Sequence, residues 1–232
     1  MMDQTIRIWK IRTSKTELID ITKAWVVLSL AFALVIGSIN LLNGNLYNLF
    51  SSQFLILFLI SLFTAGIGFL FHELGHKFVA QHYGCEAEFR AFDQMLYIAL
   101  GLAAVIGFIF AAPGAVMIAG RVTLRENGKI SMAGPSVNFI LAAVFFFLIS
   151  IVYGGLVKTV IVIGTGLNNL YNLPLLVGAA LIGFKINIWL GLFNLIPFGN
   201  FDGKKILDWS KSIWVTMVAM GIFLLFFLPK LV

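Results

Sequence analysis

Long apolar runs separated by short polar connections dominate this chain of 232 residues. Most of these runs are close to the roughly 20 residues that a helix needs to cross a bilayer. They cover residues 24–42, 54–71, 95–112, 131–153, 174–197 and 213–228. The connections between them leave no room for a sizeable soluble domain. The pattern predicts an all-α polytopic membrane protein with five to six transmembrane helices, forming a single domain over residues 1–232.

The composition supports this class. Apolar residues make up 60% of the chain and charged residues 11%, with a mean hydropathy of +1.01. Soluble domains carry about 25% charged residues, so this chain has too few to cover a water-soluble particle. The net charge of +6 does not indicate nucleic acid, because cytoplasmic loops of membrane proteins are rich in Lys and Arg. The lone Cys85 excludes an internal disulfide.

The distribution of positive charge predicts the orientation in the cell membrane. Most of the 16 Lys and Arg residues cluster in four stretches, 7–23, 77–90, 121–129 and 204–211. The positive-inside rule places these stretches, and with them the N-terminus, on the cytoplasmic side. Residues 1–23 are therefore predicted to be a cytoplasmic lead. The first apolar run lacks a small-residue cleavage site and is interpreted as a retained helix rather than a signal peptide.

Residues 94–132 are predicted to form a re-entrant segment followed by a β-hairpin. Both flanks of 95–112 are assigned to the cytoplasmic side, so this run should enter and leave by one face, as a re-entrant hairpin or an interfacial helix pair. A sixth full crossing is the alternative from hydropathy alone. In residues 115–132, Asn127-Gly128 between short β-branched runs is typical of a hairpin turn. A plain cytoplasmic connector is the alternative there.

The stretch FHELGHKFVA, residues 71–80, contains a HExxH motif. Residues four apart lie on one face of a helix, so His72 and His76 can hold one metal ion, with Glu73 beside it as general base. Ionisable residues in a membrane segment are functional candidates by default, which disfavours coincidence. The third histidine, His82, is interpreted as an interfacial polar residue. A catalytic zinc site needs three protein ligands, and the motif provides two.

Asp202 is the candidate for the third ligand among the few acidic residues. It follows Pro197 and Gly199, which end the preceding helix, and Gly203 allows the chain to turn beside it. The predicted orientation places Asp202 and the two histidines at the same face of the membrane. A helix-terminus cap on a solvated loop is the alternative interpretation of this aspartate.

These motifs together resemble the site-2 proteases, the zinc intramembrane metalloproteases of the M50 type. The resemblance rests on four stretches that occur in order over most of the chain: IRIWKI (6–11), HELGH (72–76), AGPSVN (133–138) and NLIPFGNFDG (194–203). The chain is similar to the compact archaeal and bacterial members, which lack a PDZ domain. Two family positions differ: Asn200 stands where many members have a second proline, and Lys204 where they have a second glycine.

The resemblance implies one Zn²⁺ per chain, held by His72, His76 and Asp202. It implies that Glu73 acts as general base and acid, and that Asn194 positions the substrate backbone or stabilises the oxyanion. Gly134 and Pro135 match a helix-packing motif, and Asn138 is expected to face the site.

The predicted function is that of a zinc-dependent intramembrane endopeptidase, a metalloprotease and hydrolase. It would cleave peptide bonds within or next to transmembrane segments of membrane-anchored proteins, with the lipid bilayer as its other partner and no nucleic acid. A membrane peptidase with a large cytoplasmic catalytic domain is disfavoured, because this chain has no room for one. The alternative from another class is a metal-binding transporter or an inactive scaffold. Glu73 argues against it, since metal binding alone does not need a glutamate.

Overall fold

The computed structural model describes residues 5–8, 11–109, 114–164 and 170–230. The chain divides into two compact units, Met1–Arg121 and Val122–Val232. Among the described residues, five helical stretches are long and apolar enough to cross a membrane: Lys15–Ile36, Ser52–His82, Leu124–Tyr153, Leu175–Asn194 and Lys211–Lys230. The predicted all-α polytopic fold with five to six such helices is therefore confirmed, and so is the presence of a short β-element.

The first unit begins with a hairpin of two strands, β1 (Thr5–Ile8) and β2 (Ile11–Ser14), which pair antiparallel. Helix α1 (Lys15–Ile36) follows directly. It begins at Lys15 rather than at the predicted Ala24, because the Ser14 hydroxyl accepts a hydrogen bond from the Glu17 N–H at 3.1 Å and caps the first turn. Part of the predicted N-terminal lead is therefore helical. Residues 9 and 10 of the IRIWKI stretch lie outside the described residues.

The second helical stretch is continuous but contains one wider turn. Helix α2 (Ser52–Ser61) passes through a π-helical turn at Leu62–Gly66 into helix α3 (Ile67–His82). The Trp25 indole N–H of α1 donates to the Leu62 carbonyl oxygen at 2.9 Å. A Cβ on Gly66 would lie 2.3 Å from the Ser29 hydroxyl oxygen. This glycine therefore allows the close packing of α1 on the helix that carries the HExxH motif.

A two-stranded antiparallel sheet lies beside α3. Strand β3 (Glu86–Ala91) pairs with strand β4 (Gly114–Ala119), and helix α4 (Asp93–Ile106) lies between them in sequence. The predicted turn at Asn127-Gly128 is wrong. Both residues lie in the first turns of the next helix, α5 (Leu124–Tyr153).

A strong helix start explains why the Asn-Gly pair does not turn. The Thr123 hydroxyl accepts from the Glu126 N–H at 3.2 Å, and the Glu126 carboxylate accepts from the Thr123 N–H at 2.7 Å, which is a complete capping box. Gly128 has a packing function instead, since a Cβ there would lie 2.4 Å from the Trp209 Cβ.

The segment between β3 and β4 leaves and rejoins the small sheet at one place, because Ala91 pairs with Gly114. Helix α4 begins next to α1, where Lys23 pairs with Asp93, and runs alongside it. At its other end the Ala104 carbonyl oxygen accepts from the Leu41 N–H at 2.8 Å, beyond the end of α1. Residues 110–113 lie outside the described residues. The re-entrant path of 94–112 through a bilayer stays a prediction.

The second unit is built around α5 and α7 (Leu175–Asn194). Between them lies α6 (Leu156–Gly164), and after them come α8 (Asp202–Trp209) and α9 (Lys211–Ile222), which continues through a wider turn to Lys230. Apolar residues of α5, α6 and α7 form its main core. Between α5 and α7, the Asn138 amide donates to the Asn187 side-chain oxygen at 3.1 Å, and both residues are fully buried. Gly134 and Pro135 are also buried in α5.

Candidate metal centre

The two histidines of the HExxH motif lie together in the middle of α3. Their Nε2 atoms are 3.0 Å apart and their rings meet edge to face. Both side chains are buried, so each imidazole needs a hydrogen-bonding partner or a metal ion. Two nitrogens bound tetrahedrally to zinc at about 2.0–2.1 Å would be roughly 3.3 Å apart. The spacing of His72 and His76 therefore fits a shared zinc ion.

Glu73 lies between the histidines and faces the small sheet. Its Oε2 accepts a hydrogen bond from the Val116 main-chain N–H of β4 at 3.2 Å. The predicted general base is therefore next to strand β4, which begins only at Gly114 in the chain. Sequence reasoning missed Val116, because a main-chain donor carries no residue-type signal.

A buried ion pair involves Lys77, the residue directly after the motif. The Lys77 ammonium is 2.5 Å from the Glu17 carboxylate, and the two side chains are 2% and 0% exposed. Glu17 also accepts from the Thr13 hydroxyl at 2.7 Å and from the Phe89 N–H at 2.8 Å. This carboxylate therefore joins β2, α1, α3 and β3. Lys77 looks in the sequence like one more cytoplasmic positive charge, and Glu17 like an ordinary residue of a helix start.

Asp202 is the first residue of α8 in the second unit, and it is buried. Its neighbour Gly203 makes this possible, since a Cβ there would lie 2.0 Å from the Leu195 carbonyl oxygen. The first turn of α8 thus packs directly on the end of α7. Gly203 is needed for this close approach, whereas the turn itself uses Gly199, which has a φ of +60°.

The other residues that the sequence analysis identified make ordinary hydrogen bonds or ring contacts in the structure. Asn194 is the last residue of α7, and its amide donates to the Leu190 carbonyl oxygen at 3.0 Å. Its role toward a substrate stays a prediction. Asn138 pairs with Asn187, a residue that the sequence interpretation did not include. His82 is exposed at the end of α3 with its ring against Tyr83, as expected for a surface polar residue.

Fold and site together define a class of protein: a multi-pass membrane protein with a HExxH metal centre on an apolar helix. The chain is 38% identical over 204 residues to "Putative zinc metalloprotease MJ0611" of Methanocaldococcus jannaschii, covering 88% of this chain and 89% of that protein. The chain belongs to this zinc metalloprotease family, and zinc is its metal.

Two further relatives carry similar names. The chain is 28% identical over 153 residues to "Putative zinc metalloprotease YwhC" of Bacillus subtilis, covering 62% of this chain and 66% of that protein. It is 28% identical over 211 residues to "Zinc metalloprotease MJ0392" of Methanocaldococcus jannaschii, covering 89% of this chain and 45% of that protein. No family model and no solved structure matches the chain.

Proposed function

We propose that this metalloprotease is a site-2-type endopeptidase that cleaves membrane-anchored proteins within or next to their transmembrane segments. The observation that carries the proposal is the position of the histidine pair. His72 and His76 lie within the C-terminal half of a 31-residue apolar stretch, Ser52–His82, that is long enough to cross a bilayer. A peptide bond that reaches this centre must itself lie in or close to the membrane.

Asp202 is the proposed third ligand of the zinc ion. With His72 and His76 it offers two imidazole nitrogens and one carboxylate oxygen, a donor set that suits zinc. Asp202 is buried, as a carboxylate ligand of an enclosed metal ion would be. The bound ion would polarise the scissile carbonyl and lower the pKa of the attacking water.

The residues of the chain supply the remaining steps. Glu73 accepts the proton of the attacking water and passes it to the leaving amine, as general base and then acid. Strand β4 holds the unwound substrate as an added strand, because an extended peptide can pair with an open strand edge through main-chain hydrogen bonds. Asn194 orients the substrate carbonyl at the end of α7.

We further propose that the N-terminus and the active-site end of α3 face the cytoplasm of a cell membrane. The support is the clustering of Lys and Arg in the connections assigned to that side. Membrane-anchored proteins are then the substrates, and they approach the metal centre laterally through the lipid.

The test compares the wild type with Glu73→Gln, both zinc-loaded, in liposomes that contain the membrane fraction of the source cells. New protein termini are identified by mass spectrometry, and zinc is measured per chain. We expect Glu73→Gln to retain zinc and lose cleavage by about 10²-fold or more, because proton transfer by a positioned base contributes about 10²–10⁴-fold. The new termini should map to transmembrane segments or their borders.

The matched control is Glu86→Gln, which removes an exposed carboxylate of the same unit and should cleave like the wild type. Termini found only in soluble domains would contradict the intramembrane proposal. Equal cleavage by wild type and Glu73→Gln would refute the role of Glu73. Zinc binding without any cleavage would favour the alternative of a metal-binding transporter or an inactive scaffold.

A further inference from the structure

The two strands beside the HExxH helix present opposite edges to two different carboxylates. Phe89 of β3 lies directly opposite Val116 of β4 in the register. The Phe89 N–H donates to Glu17 at 2.8 Å, and the Val116 N–H donates to Glu73 at 3.2 Å. Both N–H groups therefore point away from the partner strand, which marks a non-hydrogen-bonded pair of an antiparallel ladder. The N–H groups of Val116 and, two residues on, Ile118 belong to the outer edge of β4.

The outer edge of β3 is already covered by side chains. Besides the Phe89 bond to Glu17, the Ala91 N–H donates to Asp20 at 3.3 Å. The Ala87 carbonyl oxygen accepts from the Gln81 amide at 3.1 Å. A peptide that adds a strand to this sheet must therefore join at β4.

That peptide meets Glu73 at Val116. An added strand pairs by accepting from the outward N–H groups of the edge and donating to its outward carbonyls. The Val116 N–H can donate one strong hydrogen bond, and in the structure it donates to the Glu73 carboxylate. A substrate carbonyl that accepts this hydrogen bond instead leaves the carboxylate with one donor fewer.

We propose that the Val116 main-chain N–H is a positioning group that exchanges its hydrogen-bond acceptor. It donates to Glu73 in the free protein and to a substrate carbonyl oxygen when a peptide pairs with the outer edge of β4. The proposal rests on the proposed protease function and deepens it. Before binding, the hydrogen bond holds the base carboxylate against the strand. Once a peptide is paired, the same oxygen is released to accept a proton from water. Peptide docking and readiness of the base are thus coupled through one main-chain group.

The coupling predicts that peptide and carboxylate compete for one donor. The test measures binding to zinc-loaded protein in lipid nanodiscs, using a hydrophobic tripeptide hydroxamate and acetohydroxamate as probes. Both bind the metal, but only the tripeptide reaches the strand, so the ratio of their affinities isolates pairing with β4. We expect Glu73→Ala to raise this ratio about tenfold, since a hydrogen bond to a charged acceptor no longer has to be broken.

Proline variants locate the effect on Val116. Val116→Pro removes an outward N–H without removing a bond of the β3–β4 ladder, and edge positions tolerate proline. In the Val116→Pro background the ratio should fall, and Glu73→Ala should raise it less than twofold. Ile118→Pro, the matched control, removes the next outward N–H along β4 and should keep the tenfold gain.

Each outcome bears on the proposal. An unchanged ratio in Glu73→Ala, or an equal gain with and without Val116→Pro, overturns it. Should Val116→Pro fail to fold, amide hydrogen exchange at residues 114–119 replaces it. Exchange at Val116 must then be faster in Glu73→Ala than in the wild type, and equal rates overturn the proposal. Cleavage without the coupling would refute only the exchange of the Val116 hydrogen bond. Coupling without cleavage would refute the protease function and leave the edge of β4 as a peptide-binding site.

Discussion

Glu17→Gln should destabilise the protein more than any single change away from the metal centre that we consider. The Lys77 ammonium is buried, and its partner carboxylate lies 2.5 Å away. Glutamine keeps the size of the side chain but leaves this ammonium facing a neutral amide. Removing one partner of a buried pair costs roughly 3–5 kcal/mol. Denaturant unfolding of the zinc-loaded protein in detergent micelles, followed by tryptophan fluorescence, measures the free energy of unfolding.

The double variant is the decisive comparison. Lys77→Met alone should cost about 2–3 kcal/mol, because Glu17 keeps its bonds from the Thr13 hydroxyl and the Phe89 N–H. Glu17→Gln with Lys77→Met leaves no unpaired charge and should cost clearly less than the sum. The coupling free energy should therefore be about 2 kcal/mol or more.

Lys23→Met is the matched control on the same helix. Lys23 pairs with Asp93, but both side chains are partly exposed, so the loss should stay below about 1 kcal/mol. Strictly additive effects of Glu17→Gln and Lys77→Met would refute the reasoning. So would a cost of Glu17→Gln no larger than that of Lys23→Met.

Two further variants test packing in the described residues. Gly128→Ala should cost about 1–3 kcal/mol in free energy of unfolding, because its Cβ would lie 2.4 Å from the Trp209 Cβ. Gly101→Ala, whose Cβ meets nothing within 4 Å, should be neutral or stabilising by up to about 1 kcal/mol; equal effects of the two would contradict this account. Asn138→Ala should cost about 1–3 kcal/mol, because it leaves the buried Asn187 oxygen without this donor. An unfolding midpoint like that of the wild type would disprove the importance of the Asn pair.

At the site, the sequence predicted the role of Glu73 but not its hydrogen bond with Val116. The spacing of the HExxH motif places His72, Glu73 and His76 within about one helical turn, and in the structure the Nε2 atoms of the two histidines are 3.0 Å apart. The bond from Val116 to Glu73 depends on a strand that pairs across a long excursion. Strand register at that separation is set by tertiary packing, so no local pattern indicates it. Asp202 as the third ligand stays a prediction, although its burial agrees with it.

The Asn127-Gly128 pair shows the same limit for the fold. A local rule predicted a turn there, but the capping box at Thr123 and the need for a small residue against Trp209 place the pair in a helix. The sequence by itself determined the long apolar helices and the histidine pair, because both depend on residues a few positions apart. Only the tertiary structure decided the pairing of β3 with β4 and the burial of Glu17 with Lys77. Those interactions join residues that are far apart in the chain, and they form only when whole helices and strands pack together.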